Sequence, residues 1–342
     1  MKTILLTLIL LCNLIAFESF NNINKKYKIT SEKELKNNYF TKISPHFYAQ
    51  KIQYFKSFDN LNIAYRIFEV HNAKVNIVIS SGRTEGMLKY QELIYDLNRN
   101  GYSVYILDHR GQGNSERLLA DSQLGHVVDF ENYVKDMKQF VSLHLQKDKK
   151  RILIGHSMGG AIASLYVEQY PNDFDGLVLS SPMHQPDIIF SSITDTACNL
   201  ILLRKKNIDR YAVGKKSYDE VSHQFKDNKL THSKIRYEIT KIAFDIEPDA
   251  KIGGPSVRWL REACSASAKS VEEASKITIP ILLLQAQNDV IVNKKPQNKF
   301  CKNVGGNCKA YQIDSAYHEL FVENDSVRKK ALTAILDFIS KI

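Results

Sequence analysis

Gly155-His156-Ser157-Met158-Gly159-Gly160 follows the apolar run Arg151-Ile152-Leu153-Ile154 and precedes Ala161-Ile162-Ala163-Ser164-Leu165-Tyr166. This reads as a buried strand, a sharp turn and a small-residue helix, with a serine at the apex. A G-x-S-x-G turn in that setting has the form of a nucleophile elbow. The serine backbone at such a turn is strained, and Gly155 and Gly159 let neighbouring backbone pass close by. The turn lifts the Ser157 hydroxyl above a helix N-terminus, where free N–H groups and the helix dipole favour negative charge. The bare pattern arises by chance in many chains; the strand before it and the helix after it carry the reading.

Outward from the elbow, the same rhythm repeats. Val75–Ser80, Ser103–Leu107, Gly176–Ser180, Ile281–Ala286 and Ala310–Ile313 are further apolar strands. Helical periodicity fills Tyr90–Asn98, ending at Gly101, then Asn132–Leu145 and Ser326–Ile339. Before them, Tyr54–Phe58 and Leu61–Phe68 alternate around Asp59-Asn60, a hairpin signal. Continuous apolar strands separated by helices predict an α/β fold, a mostly parallel sheet covered on both faces, with an antiparallel edge from the hairpin. Active sites in such sheets lie beyond the carboxyl ends of the strands. Residues 184–277 break the rhythm with a largely helical pattern and leave from a strand end beside the elbow, so they are read as a lid insertion. The chain thus divides into a leader (1–19), an arm (20–47), the first part of the core (48–183), the helical lid (184–277) and the second part of the core (278–342).

At 342 residues the chain is long enough for one core with an insertion. Its 44% hydrophobic and 25% charged residues argue against wholesale disorder. The formal net charge of +10 comes from scattered lysines, often beside asparagines, with no basic aromatic motif, so it reads first as a lysine-rich composition and second as attraction to anionic lipid, and no nucleic acid partner is expected. Met1-Lys2-Thr3 followed by an apolar run from Ile4 to Phe17 suits a secretory signal peptide and is short for a membrane span. Export (periplasmic, secreted or membrane-associated) is therefore expected, against an alternative of association with the cytoplasmic side of a membrane. Without Cys12 of the leader, four cysteines remain. Cys301 and Cys308 flank a turn-prone segment suited to a short disulfide loop; Cys198 and Cys264 are left unpaired. Neither spacing suits zinc, and no metal or cofactor is expected.

A serine nucleophile needs a base and an orienting acid, in the chain order serine, acid, histidine. His318, in Ala316-Tyr317-His318-Glu319, follows the strand ending near Ile313 and is the base. Asp289, in Gln287-Asn288-Asp289-Val290, follows Ile281–Ala286 and is the acid that fixes the imidazole tautomer. Asp314 is read as part of the strand end, Glu319 as too close to the histidine, and Asp108 as a structural carboxylate. The oxyanion hole takes backbone N–H groups from Met158 and from Arg83 in the loop Ser80-Ser81-Gly82-Arg83-Thr84-Glu85-Gly86.

Further stretches carry a resemblance: Leu107-Asp108-His109-Arg110-Gly111-Gln112-Gly113-Asn114-Ser115-Glu116-Arg117-Leu118-Leu119-Ala120-Asp121, Gly125-His126-Val127 and Tyr133-Val134-Lys135-Asp136. They continue in Asn228-Lys229-Leu230-Thr231-His232-Ser233, Gly253-Gly254-Pro255-Ser256-Val257-Arg258-Trp259, Leu284-Gln285-Ala286 and Ala316-Tyr317-His318-Glu319. On these stretches the chain resembles the bacterial lysophospholipases of the L-two type, relatives of the monoacylglycerol lipases. The resemblance covers roughly Phe47 onward, although Ser81-Gly82 stands where many relatives have His-Gly. It implies an α/β-hydrolase fold and hydrolysis of lysophospholipids or monoacylglycerols through an acyl-serine, with Ser157, Asp289 and His318 as the triad. Ile188, Ile189, Phe190, Leu200, Ile201, Leu202 and Leu203 are candidates for cradling the acyl chain, and Trp259 for lining the pocket. The competing readings are a short-chain carboxylesterase or thioesterase, a serine peptidase, and, from another class, a catalytically inactive lipid-binding protein.

Overall fold

The computed structural model describes residues 26–342 except 147, 187–193, 204–205, 207 and 221–223. The leader reading lies outside the described residues. Eight strands form one sheet in the order β1-β2-β4-β3-β5-β6-β7-β8. They are β1 (Gln53–Lys56), β2 (Asn62–Phe68), β3 (Val75–Ser80), β4 (Ser103–Leu107), β5 (Lys150–His156), β6 (Gly176–Ser180), β7 (Ile281–Ala286) and β8 (Cys308–Ile313). The hairpin β1–β2 is antiparallel and joins β4 antiparallel, whereas β4 through β8 run parallel. Ser80 pairs with Leu107 and Gly155, and Ser180 with His156 and Leu284, so the carboxyl ends of five strands share one rim.

Because the middle strands are buried on both faces, their side chains divide between two apolar layers. Val78, Leu153, Leu177 and Leu283 pack with Phe140 of α4 (Glu131–His144), Ile162 and Leu165 of α5 (Met158–Gln169), Ala263 of α8 (Val257–Glu272) and Phe300 of α9 (Lys294–Val304). Ile79, Ile106, Ile154 and Leu284 face Leu93 and Leu97 of α3 (Gln91–Arg99) and Leu332 and Ile335 of α10 (Asp325–Ile339). The helix α9 has no counterpart in the sequence reading. It is rich in lysine and asparagine and buries only Gln297 and Phe300, too little to show a periodic stripe.

The arm is helical. In α1 (Glu32–Asn38), a π-turn (Tyr39–Ile43) and α2 (Ser44–Tyr48), the residues Leu35, Tyr39, Ile43 and Phe47 recur every fourth position and are all buried. Ser31 and Glu34 form a reciprocal capping box at its start.

Between β6 and β7 the described helices are α6 (Thr194–Leu202), α7 (Lys234–Ile246) and α8. The first of these is tied to the last by a disulfide, Cys198–Cys264. This corrects the sequence reading, which left both cysteines unpaired: they stand 66 positions apart, and only the return of the insertion on itself brings them together. Cys301 and Cys308 also form a disulfide, closing α9 onto β8.

The arm, α3, α7 and α10 meet at two buried arginines. Arg236 of α7 pairs with Glu92 at 2.9 Å and Asp325 at 2.9 Å, and donates to the carbonyls of Glu323 (2.7 Å) and Thr30 (3.1 Å). Arg328 of α10 pairs with Asp96 at 2.8 Å and donates to the carbonyls of Phe321 (2.7 Å) and Thr30 (3.2 Å). Breaking one partner of a buried pair leaves the others uncompensated. Arg236→Ala is expected to cost about 3–5 kcal/mol, read as a lower urea midpoint with an unchanged slope.

Candidate active site

Ser157 occupies a left-handed backbone conformation, φ 53° and ψ −120°, between β5 and α5. The neighbouring glycines leave room for it. A Cβ on Gly159 would fall 2.0 Å from the Ser80 carbonyl oxygen, one on Gly155 would fall 2.6 Å from the Gly159 oxygen, and one on Gly160 would meet the Pro182 ring at 2.6 Å. The Ser157 amide donates to the Ser180 carbonyl at 3.1 Å, and the Met183 amide donates to the Ser157 carbonyl at 2.8 Å. The elbow is therefore gripped from the ends of β3 and β6.

The structure brings Ser157, His318 and Asp289 together. Nε2 of His318 lies 2.9 Å from Ser157 Oγ, and Nδ1 lies 2.7 Å from Asp289 Oδ2. Burial works against ionising Asp289, but His318 and the amides of Ile291 (2.8 Å) and Val292 (3.2 Å) hold its carboxylate below the usual range. An ionised carboxylate only accepts, so Nδ1 carries the proton and Nε2 presents its lone pair to the serine hydroxyl. Serine and histidine are nearly buried, at 9% and 2% exposure, in a setting where charge interactions act at low dielectric.

The loop after β3 abuts the first turn of α5 through Gly159. Its amides are committed on either side of Arg83: Gly82 donates to Glu85 Oε2 at 2.7 Å, and Thr84 donates to Gln112 Oε1 at 2.7 Å. Gln112 also rests its amide against Met158 Sδ at 3.8 Å. Among the described residues the Arg83 and Met158 amides have no partner, as befits donors kept for an oxyanion.

Trp259 is placed differently. It lies in the apolar cluster of Met158 and Met183, donates its indole N–H to Tyr133 Oη at 3.3 Å, and has no hydrogen bond to the three converging residues. Of the acyl-cradle candidates, Ile188, Ile189 and Phe190 lie outside the described residues. Leu200, Leu202 and Leu203 are 64%, 41% and 76% exposed and Ile201 is half-buried, so these leucines do not form a buried lid core. The inward side of α6 is taken by the Cys198–Cys264 bridge.

Sequence reasoning missed four residues behind His318. His156, next to the nucleophile, stands 3.0 Å from Glu319 and 3.3 Å from Glu85, while its Nδ1 donates to the Ser180 carbonyl at 3.0 Å. Lys89 pairs with the same carboxylates, Glu85 at 3.0 Å and Glu319 at 2.5 Å. Burial would lower the His156 pKa, but Glu319 and Glu85 push it up to about 10, so it is an imidazolium at neutral pH. Two cations thus balance two carboxylates, joining the loops that carry Arg83, Ser157 and His318. The ring of His156 lies 4.9 Å from that of His318. Glu319 is thereby engaged away from His318 Nδ1, and Asp108 accepts from the Met87 (2.5 Å) and Asn114 (2.7 Å) amides of two flanking turns. The i, i+4 spacing of Glu85 and Lys89 is the one signal the sequence offered. His156, His318 and Glu319 also present ligand atoms within 4.8 Å of one another, the spacing of a metal site, but each is engaged as described.

The insertion reaches the histidine loop directly. Leu230 O accepts from the Glu319 amide at 3.0 Å, Thr231 Oγ1 donates to Val322 O at 2.6 Å, and the His232 amide donates to Glu323 at 3.1 Å.

Residues 71–325 match the family model described as serine aminopeptidase, S33. The chain is 35% identical over 296 residues to lysophospholipase L2 of Escherichia coli K12, covering 84% of this chain and 86% of that protein. It is 28% identical to the monoglyceride lipase of Rattus norvegicus, over 78% and 82% of the two chains. Among solved structures, a soluble variant of the monoglyceride lipase of Saccharomyces cerevisiae superposes with a TM-score of 0.66 at 20% identity, covering 85% of this chain and 96% of that one. The fold is that of the α/β-hydrolases.

Asp289→Asn removes the acceptor that sets the tautomer, and is expected to lower kcat roughly ten-thousand-fold with an unchanged melting temperature; ester hydrolysis and calorimetry check both. The raised pKa of His156 makes a second prediction. Its contribution to stability is complete below its unfolded value of 6.5 and fades as pH rises through about 10. Urea midpoints taken from neutral to alkaline pH should fall more steeply in the wild type than in His156→Gln.

Proposed function

We propose that this chain, which belongs to the serine aminopeptidase S33 family, hydrolyses the acyl ester of lysophospholipids or monoacylglycerols. The observation that carries the reading is the relay from Asp289 through His318 to Ser157, in a chain that matches lysophospholipase L2 over most of its length. Ser157 Oγ attacks the ester carbonyl as His318 Nε2 takes its proton, and the amides of Arg83 and Met158 receive the oxyanion. The glycerol-bearing alcohol leaves with that proton, giving an acyl-serine. Water, deprotonated by His318, then releases the fatty acid and restores the serine. Every step is served by side chains and amides of this chain.

Export to an oxidising compartment is part of the proposal, and the two disulfides support it. So is peripheral contact with lipid, supported by the net charge of +10 and the exposed leucines Leu200, Leu202 and Leu203. Among the described residues no helix is long and apolar enough to cross a membrane.

Product mass spectrometry with lysophosphatidylethanolamine and monoolein tests the activity. Fatty acid release is expected from the wild type, with Ser157→Ala reduced about a million-fold. Preference for water-soluble acetyl esters would replace the reading with a short-chain esterase, and cleavage of N-terminal peptide bonds with an aminopeptidase. A folded protein that resists fluorophosphonate labelling would be a lipid binder.

A further inference from the structure

Resting on that reading, we infer that the Arg83 side chain binds the phosphate of a lysophospholipid and so favours that substrate over a neutral monoacylglycerol. The Arg83 amide belongs to the oxyanion pair; its guanidinium goes elsewhere. Nη1 donates to the Gly253 carbonyl of the insertion at 3.0 Å, and the group lies 5.4 Å from the centre of the Trp259 ring. Gly125, on which a Cβ would fall 3.2 Å from Nη1, exchanges backbone hydrogen bonds with Gly254 (3.0 Å) and Ser256 (2.7 Å). The guanidinium is thus held where the insertion docks on the core, one side chain away from the elbow.

Arg83 has no counter-charge among the described residues. Several other arginines sheltered from water are paired: Arg110 with Asp136 and Asp59, Arg236 with Glu92 and Asp325, Arg258 with Asp209, Arg328 with Asp96. Arg117 makes no ion pair among the described residues either, but its three nitrogens are spent on the carbonyls of Ser115, Ser122 and Asp249. Among the described residues no carboxylate faces Arg83, and its one ionisable neighbour is the Tyr133 phenol. Burial lowers its pKa to about 10, which leaves it a cation at neutral pH. Among the described residues Nε and Nη2 have no partner, and neither is sealed from solvent. A half-buried cation with two free donors and no carboxylate is costly in the empty protein. An anion supplied by the ligand relieves that cost, and the planar fork of a guanidinium suits the paired oxygens of a phosphate.

The chemistry of the substrate matches the placement. In a lysophospholipid the glycerol joins the scissile ester to the phosphate. With the carbonyl oxygen at the Arg83 and Met158 amides, the glycerol need only follow the length of the Arg83 side chain to reach its guanidinium. A monoacylglycerol presents a hydroxyl at that end and leaves the cation unpaired.

The test titrates Ser157→Ala, which holds substrate without turning it over, with lysophosphatidylethanolamine and with monoolein by calorimetry. Adding Arg83→Gln should weaken lysophospholipid binding about 10- to 100-fold and change the lysophospholipid-to-monoolein affinity ratio by nearly that factor; Arg83→Lys should fall between. Competition by glycerol 3-phosphate separates recognition of phosphate alone from recognition of the whole lipid. In the wild type, raising ionic strength should raise KM for lysophosphatidylethanolamine and leave that for monoolein in place. An unchanged ratio in the variants, or a KM for the two substrates that responds equally to salt, overturns the inference even if a variant melts early. A wild type that labels with fluorophosphonate but turns over neither lipid instead rejects the activity itself.

Discussion

The left-handed backbone of Ser157 is the constraint on which the rest depends. A non-glycine residue held in a sparsely populated conformation costs on the order of 1–3 kcal/mol, so the surroundings must over-determine it. They do so with the amide hydrogen bonds to Ser180 and from Met183, and with three glycines whose missing Cβ atoms admit the Ser80, Gly159 and Pro182 contacts. One consequence is catalytic: the serine oxygen projects from the sheet beside the amides that open α5. Another is architectural, since the ends of β3, β5 and β6 must stay in register for the elbow to exist.

A second level of organisation is made of charges that water does not reach. Glu85, Lys89, His156 and Glu319 cancel one another behind the imidazole. Arg236 and Arg328, with their carboxylates, hold the carbonyls of Phe321 and Glu323 just past His318. Desolvating ions is expensive, and apolar packing of the same volume is often no worse for stability. What the ion pairs supply is direction: each fixes one loop against another at a distance set by hydrogen-bond geometry. The histidine loop is held by the core on one side and by Leu230, Thr231 and His232 of the insertion on the other.

This division also explains what could be read in advance. The strands were legible because five of them are apolar runs buried on both faces, and the serine, acid and histidine were legible because topology delivers strand ends to one rim. The helix α9 was not, since a surface helix with two buried side chains has almost no periodic stripe. Nor was the partnership of Cys198 with Cys264, which depends on how the insertion folds back. The quartet behind His318 joins segments separated by more than two hundred positions, and no local pattern encodes such a meeting. The Arg83 side chain was overlooked for a related reason: its significance lies in an absent carboxylate, and sequence does not display vacancies in three dimensions.

The arm carries one more implication. The amide and hydroxyl of Thr30 bond to Asp96, and its carbonyl accepts from both Arg236 and Arg328, so a residue of the arm is anchored by a helix nearly three hundred positions further along the chain. Contacts so distant along the chain close a large loop and form late. The share of the arm's anchorage that comes from Arg236 and Arg328 is therefore added last, onto a segment that Asp96 and Asn100 already hold.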